Sequence, residues 1–110
     1  MQNTKRGQKM NYKTILGKAA GILKEREESY GDAAQMHQTI CDRWNSVLRG
    51  KLAPGVALTA YDVARMMSEL KAARVDDNGF HEDSIIDQIN YLVIAYRLAG
   101  EDAQIFDWDE

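Results

Sequence analysis

Cysteine, proline and long apolar runs are scarce in this chain of 110 residues. Cys41 is its one cysteine, which excludes an intrachain disulfide and a cysteine-based metal site. Pro54 is its one proline, so little interrupts helix formation. No segment approaches the roughly 18 consecutive apolar residues of a membrane span, and the polar N-terminus lacks the apolar run of a signal peptide. These absences predict a cytoplasmic protein with no membrane partner.

The chain also lacks an excess of positive charge. Its formal net charge is −3, which argues against a nucleic-acid binder of the usual basic kind. The negative charge is concentrated at the end, since residues 101–110 contain five acids and no base. The rest of the chain is therefore mildly basic and compatible with an anionic ligand.

Apolar residues recur at helical spacing over four segments, at about 12–29, 33–48, 60–75 and 82–98. Gly31 and Asp32 are suited to end the first helix and begin the second, and Thr59 with Asp62 resembles a capping box. The pattern predicts an all-α, four-helix bundle-like domain over residues 12–100. A flexible segment, 1–11, precedes this domain, and an acidic tail, 101–110, follows it.

The apolar stripes predict which helix faces form the core. The predicted core positions on the second, third and fourth helices are Met36, Ile40, Trp44, Val47, Val63, Met66, Met67, Leu70, Ile85, Ile86, Ile89, Leu92, Val93 and Tyr96. On the first helix the residues that recur at helical spacing are Ile15, Leu16, Ala19, Ala20, Ile22 and Leu23. Because so small a bundle gains from a second subunit on an apolar face, we expect a homodimer or homotetramer.

Three carboxylates, of Glu69, Asp83 and Asp87, lie on the third and fourth helices, which a short turn joins. Helices joined in this way pack side by side, so we expect these acids to converge and to bind a divalent cation, with Asp62 as a helper. The alternatives are structural. An acid at position 83 favours its helix dipole, and Asp87 is suited to a salt bridge with Lys71 or Arg74. His37 and His81 have no ligand spacing.

The motifs Glu-Arg-x-x-x-Tyr-Gly-Asp (25–32), Glu-Leu-Lys-x-x-Arg (69–74) and Asp-Ser-x-x-Asp-x-x-Asn-Tyr (83–91) resemble those of phage-type MazG-like domains. These domains belong to the all-α nucleoside triphosphate pyrophosphohydrolase superfamily. The similarity covers residues 22–98. It implies a helical bundle that cleaves a nucleoside triphosphate to the monophosphate and pyrophosphate, with Mg²⁺ held by helix carboxylates. If phage-encoded, such a protein acts in the host cytoplasm.

This resemblance assigns roles to individual residues. Metal binding and catalysis fall to Glu69, Asp83 and Asp87, and Mn²⁺ is an acceptable substitute for Mg²⁺. The expected substrate-binding residues are Lys51, Lys71, Arg74, Asn90 and Tyr91. The family's usual Glu-x-x-Glu and Glu-x-x-Asp motifs have Met66 and Ser84 at their first positions here. The alternative is therefore a non-catalytic helical phage accessory protein that retains the fold.

Overall fold

The computed structural model describes residues 11–103, with side chains over residues 11–100. This part of the chain consists of four α-helices: α1 (Tyr12–Tyr30), α2 (Ala33–Val47), α3 (Ala60–Asn78) and α4 (Glu82–Ala103). No strand occurs within the described range, so the predicted all-α class is confirmed. Residues 1–10 and 104–110, most of the predicted flexible segment and acidic tail, lie outside the described residues.

Local capping interactions fix where the helices begin. The Asp32 side chain accepts a hydrogen bond from the backbone of Ala34 at the start of α2. Thr59 and Asp62 form a complete capping box at the start of α3. Gly31 ends α1 with φ of 90°, a conformation that glycine adopts without strain. These are the interactions that the sequence predicts.

Two helices run further than their sequence signals indicate. α3 continues to Asn78, and α4 continues through Gly100 to Ala103. A glycine within a helix costs only about 1 kcal/mol relative to alanine, and Leu98, just before it, is buried in the core. Tertiary packing therefore outweighs the stop signal at Gly100.

The main core lies between α3 and α4, which the short turn 79–81 connects as neighbours. Its members are mostly small: Ala60, Ala64, Ile94, Ala95 and Leu98. Small side chains allow the two helices to approach closely. α1 packs against α4, and α2 packs mainly against α3. None of the described helices has both the length and the apolar character that a bilayer crossing requires.

Several predicted core positions are instead exposed. On α3, Met66 and Leu70 expose 42% and 46% of their surface. On α4, Leu92, Val93 and Tyr96 are about half exposed. α4 carries apolar residues on two faces, and the face that packs contains Ile86, Ile94 and Leu98. Periodicity identified both faces but did not determine which one meets the other helices.

The predicted stripe on α2 is displaced by one residue. Met36 and Val47 are exposed, whereas His37 and Cys41 are among the most buried side chains. Cys41 Sγ and Asn45 both bond to the backbone of Leu58, which holds the loop before α3 against α2. These polar contacts determine which side of α2 faces inward. A count of apolar residues cannot detect them.

Candidate functional site

Asp87 connects three helices through its carboxylate. Arg26 Nη1 on α1 lies 2.9 Å from one oxygen, and Lys71 Nζ on α3 lies 3.1 Å from the other. The side chains of Asp87 and Lys71 are only 11% and 15% exposed, whereas that of Arg26 is 52% exposed. Two cations around one acid give this Asp87 cluster a net positive charge. The half-exposed guanidinium can turn towards an anionic ligand without leaving Asp87 unpaired.

A cavity of about 220 Å³ opens beside this cluster, between α1, α2 and α4. Its wall is mostly apolar, with a few polar groups, and includes Leu23, Arg26, Met36, His37, Asp87 and Tyr91. Apolar surface with a few directed polar groups is typical of small-molecule sites. A cavity of about 150 Å³ admits a benzene ring, so this one has space for a small heterocycle.

His37 is the most buried polar residue on the cavity wall, with 4% of its surface exposed. Its Nδ1 lies 2.8 Å from the carbonyl oxygen of Ala33, one turn earlier in α2. Its Nε2 is buried and has no hydrogen-bond partner among the described residues. The ring stands edge-on to Tyr91, with centroids 5.8 Å apart. Among the described residues, His37 thus has an unsatisfied nitrogen beside a mostly apolar cavity.

Asn90 and Tyr91, both predicted to contact substrate, do line the cavity. Asn90 Nδ2 also donates to the carbonyl oxygen of Ala19 at 2.9 Å. This bond joins α4 to α1, so Asn90 has a structural role whatever it contacts in the cavity. Tyr91 also lines the cavity, and its ring is in edge contact with His37.

The predicted metal ligands are not brought together. Glu69 is exposed on α3, Asp83 is exposed in the first turn of α4, and Asp62 is bonded within the capping box. Within residues 11–100, no group of three or more His, Cys, Asp or Glu side chains is arranged to hold a metal ion. Asp87 is bonded to two cations. The donor set of the described residues in one chain therefore does not fit a resident Mg²⁺.

The predicted phosphate contacts divide into two groups. Lys71 belongs to the Asp87 cluster, behind the cavity wall. Arg74 and Lys51 are exposed and lie outside the cavity lining. Arg26 belongs to the cluster and also lines the cavity. In the sequence its position four residues before Tyr30 makes it a candidate to bind phosphate, and its simpler role is to cap the end of its helix and pair with nearby acids. The salt bridge from Asp87 to Lys71, the structural alternative considered for Asp87, is present.

The sequence gives no metal-binding role to His37, because no second ligand stands at a metal-binding spacing from it. The available signal was its position one turn before Cys41, since His37 and Cys41 share a helix face. That signal predicts burial, not a cavity. The cavity arises only when α1 and α4 meet α2, through contacts far apart in sequence.

Comparison with known proteins identifies the family of this chain. A gene 55 protein of Mycobacterium phage L5 is 39% identical over 86 residues, which are 77% of this chain and 52% of the relative. The chain thus spans about half the length of that phage protein. No solved structure matches this chain. The model of DUF6378, a domain of unknown function, matches residues 14–99, and the chain therefore belongs to the DUF6378 family.

Proposed function

We propose that this protein binds a nucleoside triphosphate, as its Mg²⁺ complex, in the cavity between α1, α2 and α4, and hydrolyses it to the monophosphate and pyrophosphate. The observation that supports this proposal is the juxtaposition of an apolar, ring-sized cavity with a cationic cluster at its wall. A nucleotide has the same two parts, a planar heterocycle and an anionic chain. The MazG-like motifs indicate the same substrate independently of the cavity.

The charges of the Asp87 cluster favour a phosphate contact at Arg26. Arginine binds phosphate oxygens through two parallel N–H donors, and Arg26 is the exposed member of the cluster. When its guanidinium turns to a phosphate, Asp87 keeps Lys71 as a partner. The exchange therefore replaces one charge-assisted contact with another and leaves no buried charge unpaired.

Hydrolysis breaks the bond from the α-phosphorus to the bridging oxygen of the β-phosphate. Water supplies the new oxygen, its proton needs an acceptor, and pyrophosphate leaves. Among the described side chains on the cavity wall, Asp87 and Glu27 are the carboxylates that can take this proton. Arg26 would neutralise the charge that develops on the phosphate oxygens. The metal ion enters this scheme as part of the substrate complex.

The alternative function is a non-catalytic phage accessory protein that binds a nucleotide or a partner without cleaving it. The separation of Glu69, Asp83 and Asp87 favours this alternative, because it leaves one chain without the expected carboxylate cluster. The relative is encoded by a phage, which agrees with either version. In both versions we place the protein in the host cytoplasm.

Binding and pyrophosphate release, measured side by side, test the proposal. The full chain is titrated with the common nucleoside triphosphates and their deoxy forms, each with Mg²⁺ or Mn²⁺, and then assayed for pyrophosphate. Arg26→Gln should weaken binding about tenfold or more, since a hydrogen bond to a charged group contributes roughly 1.5–3 kcal/mol. Arg65→Gln, an exposed arginine of α3 outside the cavity lining, is the matched control and should bind normally.

The outcomes separate the two functions. Binding that depends on Arg26, together with pyrophosphate release, supports the enzyme. Binding that depends on Arg26 without release from any nucleotide establishes the accessory function. If no triphosphate binds, or if Arg26→Gln and Arg65→Gln bind equally well, the proposed site is wrong.

We also propose that the chain forms a homodimer through the outer face of α4, and a tetramer is the larger alternative. Ile85, Ile89, Leu92 and Tyr96 follow the spacing i, i+4, i+7 and i+11, which places them on one side of the helix. Of the charged residues at 82–100, helical geometry places Asp83, Asp87 and Arg97 away from this stripe, and Glu82, at its edge in the first turn, is paired with Lys18. Depletion of charge is characteristic of the centres of protein interfaces.

A further inference from the structure

His37 lines a cavity that can hold a ring, and its Nε2 is a buried nitrogen with no hydrogen bond to any of the described residues. Less than 1 Å² of this atom is exposed. Leaving a buried acceptor unpaired costs about 1–3 kcal/mol. Nothing in the packing of α2 requires this cost, because Nδ1 alone anchors the ring to the backbone of Ala33. The unpaired nitrogen therefore points to a ligand.

The hydrogen bond at Nδ1 determines what Nε2 can do. The partner of Nδ1 is a backbone carbonyl oxygen, which only accepts, so Nδ1 carries the proton. In the neutral ring Nε2 is then a bare acceptor. It requires a donor, N–H or O–H, from whatever occupies the cavity. Phosphate oxygens cannot supply one at neutral pH, and a heterocycle with an amino group or a ring N–H can.

We infer that the cavity is a ring-binding subsite in which His37 Nε2 accepts a hydrogen bond from the donor edge of a nucleobase. This inference rests on the proposed nucleotide binding and assigns the end of the ligand opposite the phosphates. Arg26 and Asp87 lie on the same wall, so base and phosphate contacts share one cavity. Because Nε2 is covered by its neighbours, a ring reaches it only after a wall side chain moves, and Tyr91, in edge contact with His37, is the candidate.

Nucleosides test this inference because they carry the ring without phosphates. Adenosine and cytidine are each compared with the analogue that lacks the amino group, and thymidine is compared with its N3-methyl form. In the wild type, at least one donor-bearing nucleoside should bind roughly tenfold more tightly than its donorless analogue, the effect of one hydrogen bond to a buried acceptor. The nitrogen-15 resonance of Nε2 should shift as that nucleoside is added.

Two variants identify the nitrogen responsible. In His37→Asn the side-chain amide can still donate to the carbonyl oxygen of Ala33, but no acceptor remains at the position of Nε2. In His37→Gln the longer side chain places its amide near Nε2, so its oxygen can accept in place of the nitrogen. His37→Asn should bind both members of a nucleoside pair equally, whereas His37→Gln should retain part of the preference. A residue with only a structural role would change neither preference.

The result also separates this inference from the proposed function. If triphosphates bind through Arg26 but no nucleoside pair differs in the wild type, the His37 inference is wrong and phosphate binding stands. If nucleosides show a preference that depends on His37 while Arg26→Gln has no effect on triphosphates, the ring subsite stands and the phosphate assignment fails. If His37→Asn keeps the full preference, the donor is bound elsewhere and the inference is overturned.

Discussion

Asp87 shows how the surroundings of one residue can change the meaning of a motif. In the sequence Asp87 is one of several acidic residues on two adjacent helices, so a role as a metal ligand is a reasonable expectation. In the structure its two oxygens are bonded to Arg26 and Lys71. The same carboxylate therefore stabilises the junction of three helices. Any role in binding is coupled to that junction, because a ligand at Arg26 changes one of its two contacts.

We predict that Asp87→Asn destabilises the protein by about 2 kcal/mol, measured by urea unfolding without nucleotide or metal. Removing one partner of a fully buried pair costs about 3–5 kcal/mol, and the smaller value here reflects the solvent exposure of Arg26. Lys71 is the group left with a buried, unpaired charge. Asp83→Asn, exposed and one turn earlier, is the control and should cost no more than the roughly 0.3–1 kcal/mol of its interaction with the helix dipole.

An unchanged or increased stability of Asp87→Asn would contradict the structural role of this carboxylate. It would show that the negative charge is unfavourable in the native state, as expected for clustered metal ligands. The two interpretations of Asp87 thus predict stability changes of opposite sign.

At the scale of helices, the sequence predicts well that the four helices exist and where they begin. All four helices were expected, and the caps at Asp32 and Thr59 are present. These features depend on neighbours within a few residues, which a sequence displays directly. The faces that pack were predicted less well. Leu92 and Tyr96 are exposed because polar contacts, such as that of Asn90 with Ala19, orient α4, and Met66 and Leu70 are exposed on α3.

The residues of the candidate site also divide into those that the sequence predicts and those that it does not. Asp87, Lys71, Asn90 and Tyr91 were singled out from a motif on adjacent helices, and the structure places all four in or beside the cavity wall. The motif does not predict a role for His37, because His37 lies on α2. Its proximity to Tyr91 depends on a contact between residues 54 positions apart. No local pattern in the sequence encodes that contact.

The capping box of α3 provides a test at the level of a helix. Thr59→Ala removes the hydroxyl that accepts from Asp62 N at 3.2 Å, and we expect a loss of about 1 kcal/mol in the free energy of unfolding. Thr39→Ala is a matched control in the interior of α2. Its hydroxyl bonds back to the carbonyl oxygen of Gln35, a contact that contributes little to a helix.

Thermal unfolding followed by circular dichroism distinguishes the two threonine variants. Thr59→Ala should melt several degrees below the wild type, whereas Thr39→Ala should melt at or slightly above it, because alanine is the better helix former. Equal melting temperatures for both variants would mean that the packing of α3, rather than its cap, determines where the helix begins.

At the scale of the whole molecule, several large apolar side chains of the described residues are about half exposed or more. This exposure suits a subunit whose outer surface is covered by another copy. Among the described helices, the outer face of α4 carries an apolar stripe suited to that contact.

We therefore expect Leu92→Asp to reduce the oligomer to monomers at micromolar concentration, as measured by light scattering after size exclusion. Leu92 lies at the centre of the stripe and is 48% exposed, so a carboxylate is tolerated in the monomer. In a dimer it would be desolvated, and in a two-fold interface each copy introduces its own charge. Val47→Asp makes the same change on an exposed apolar residue of α2, at 70% exposure, and should leave the assembly intact.

A wild type that is monomeric throughout, or a dimer that persists in Leu92→Asp and dissociates in Val47→Asp, would exclude α4 as the interface. The cavity opens between α1, α2 and α4. Nucleoside binding that is equal in the dimer and in the Leu92→Asp monomer would show that one chain contains the whole ring subsite.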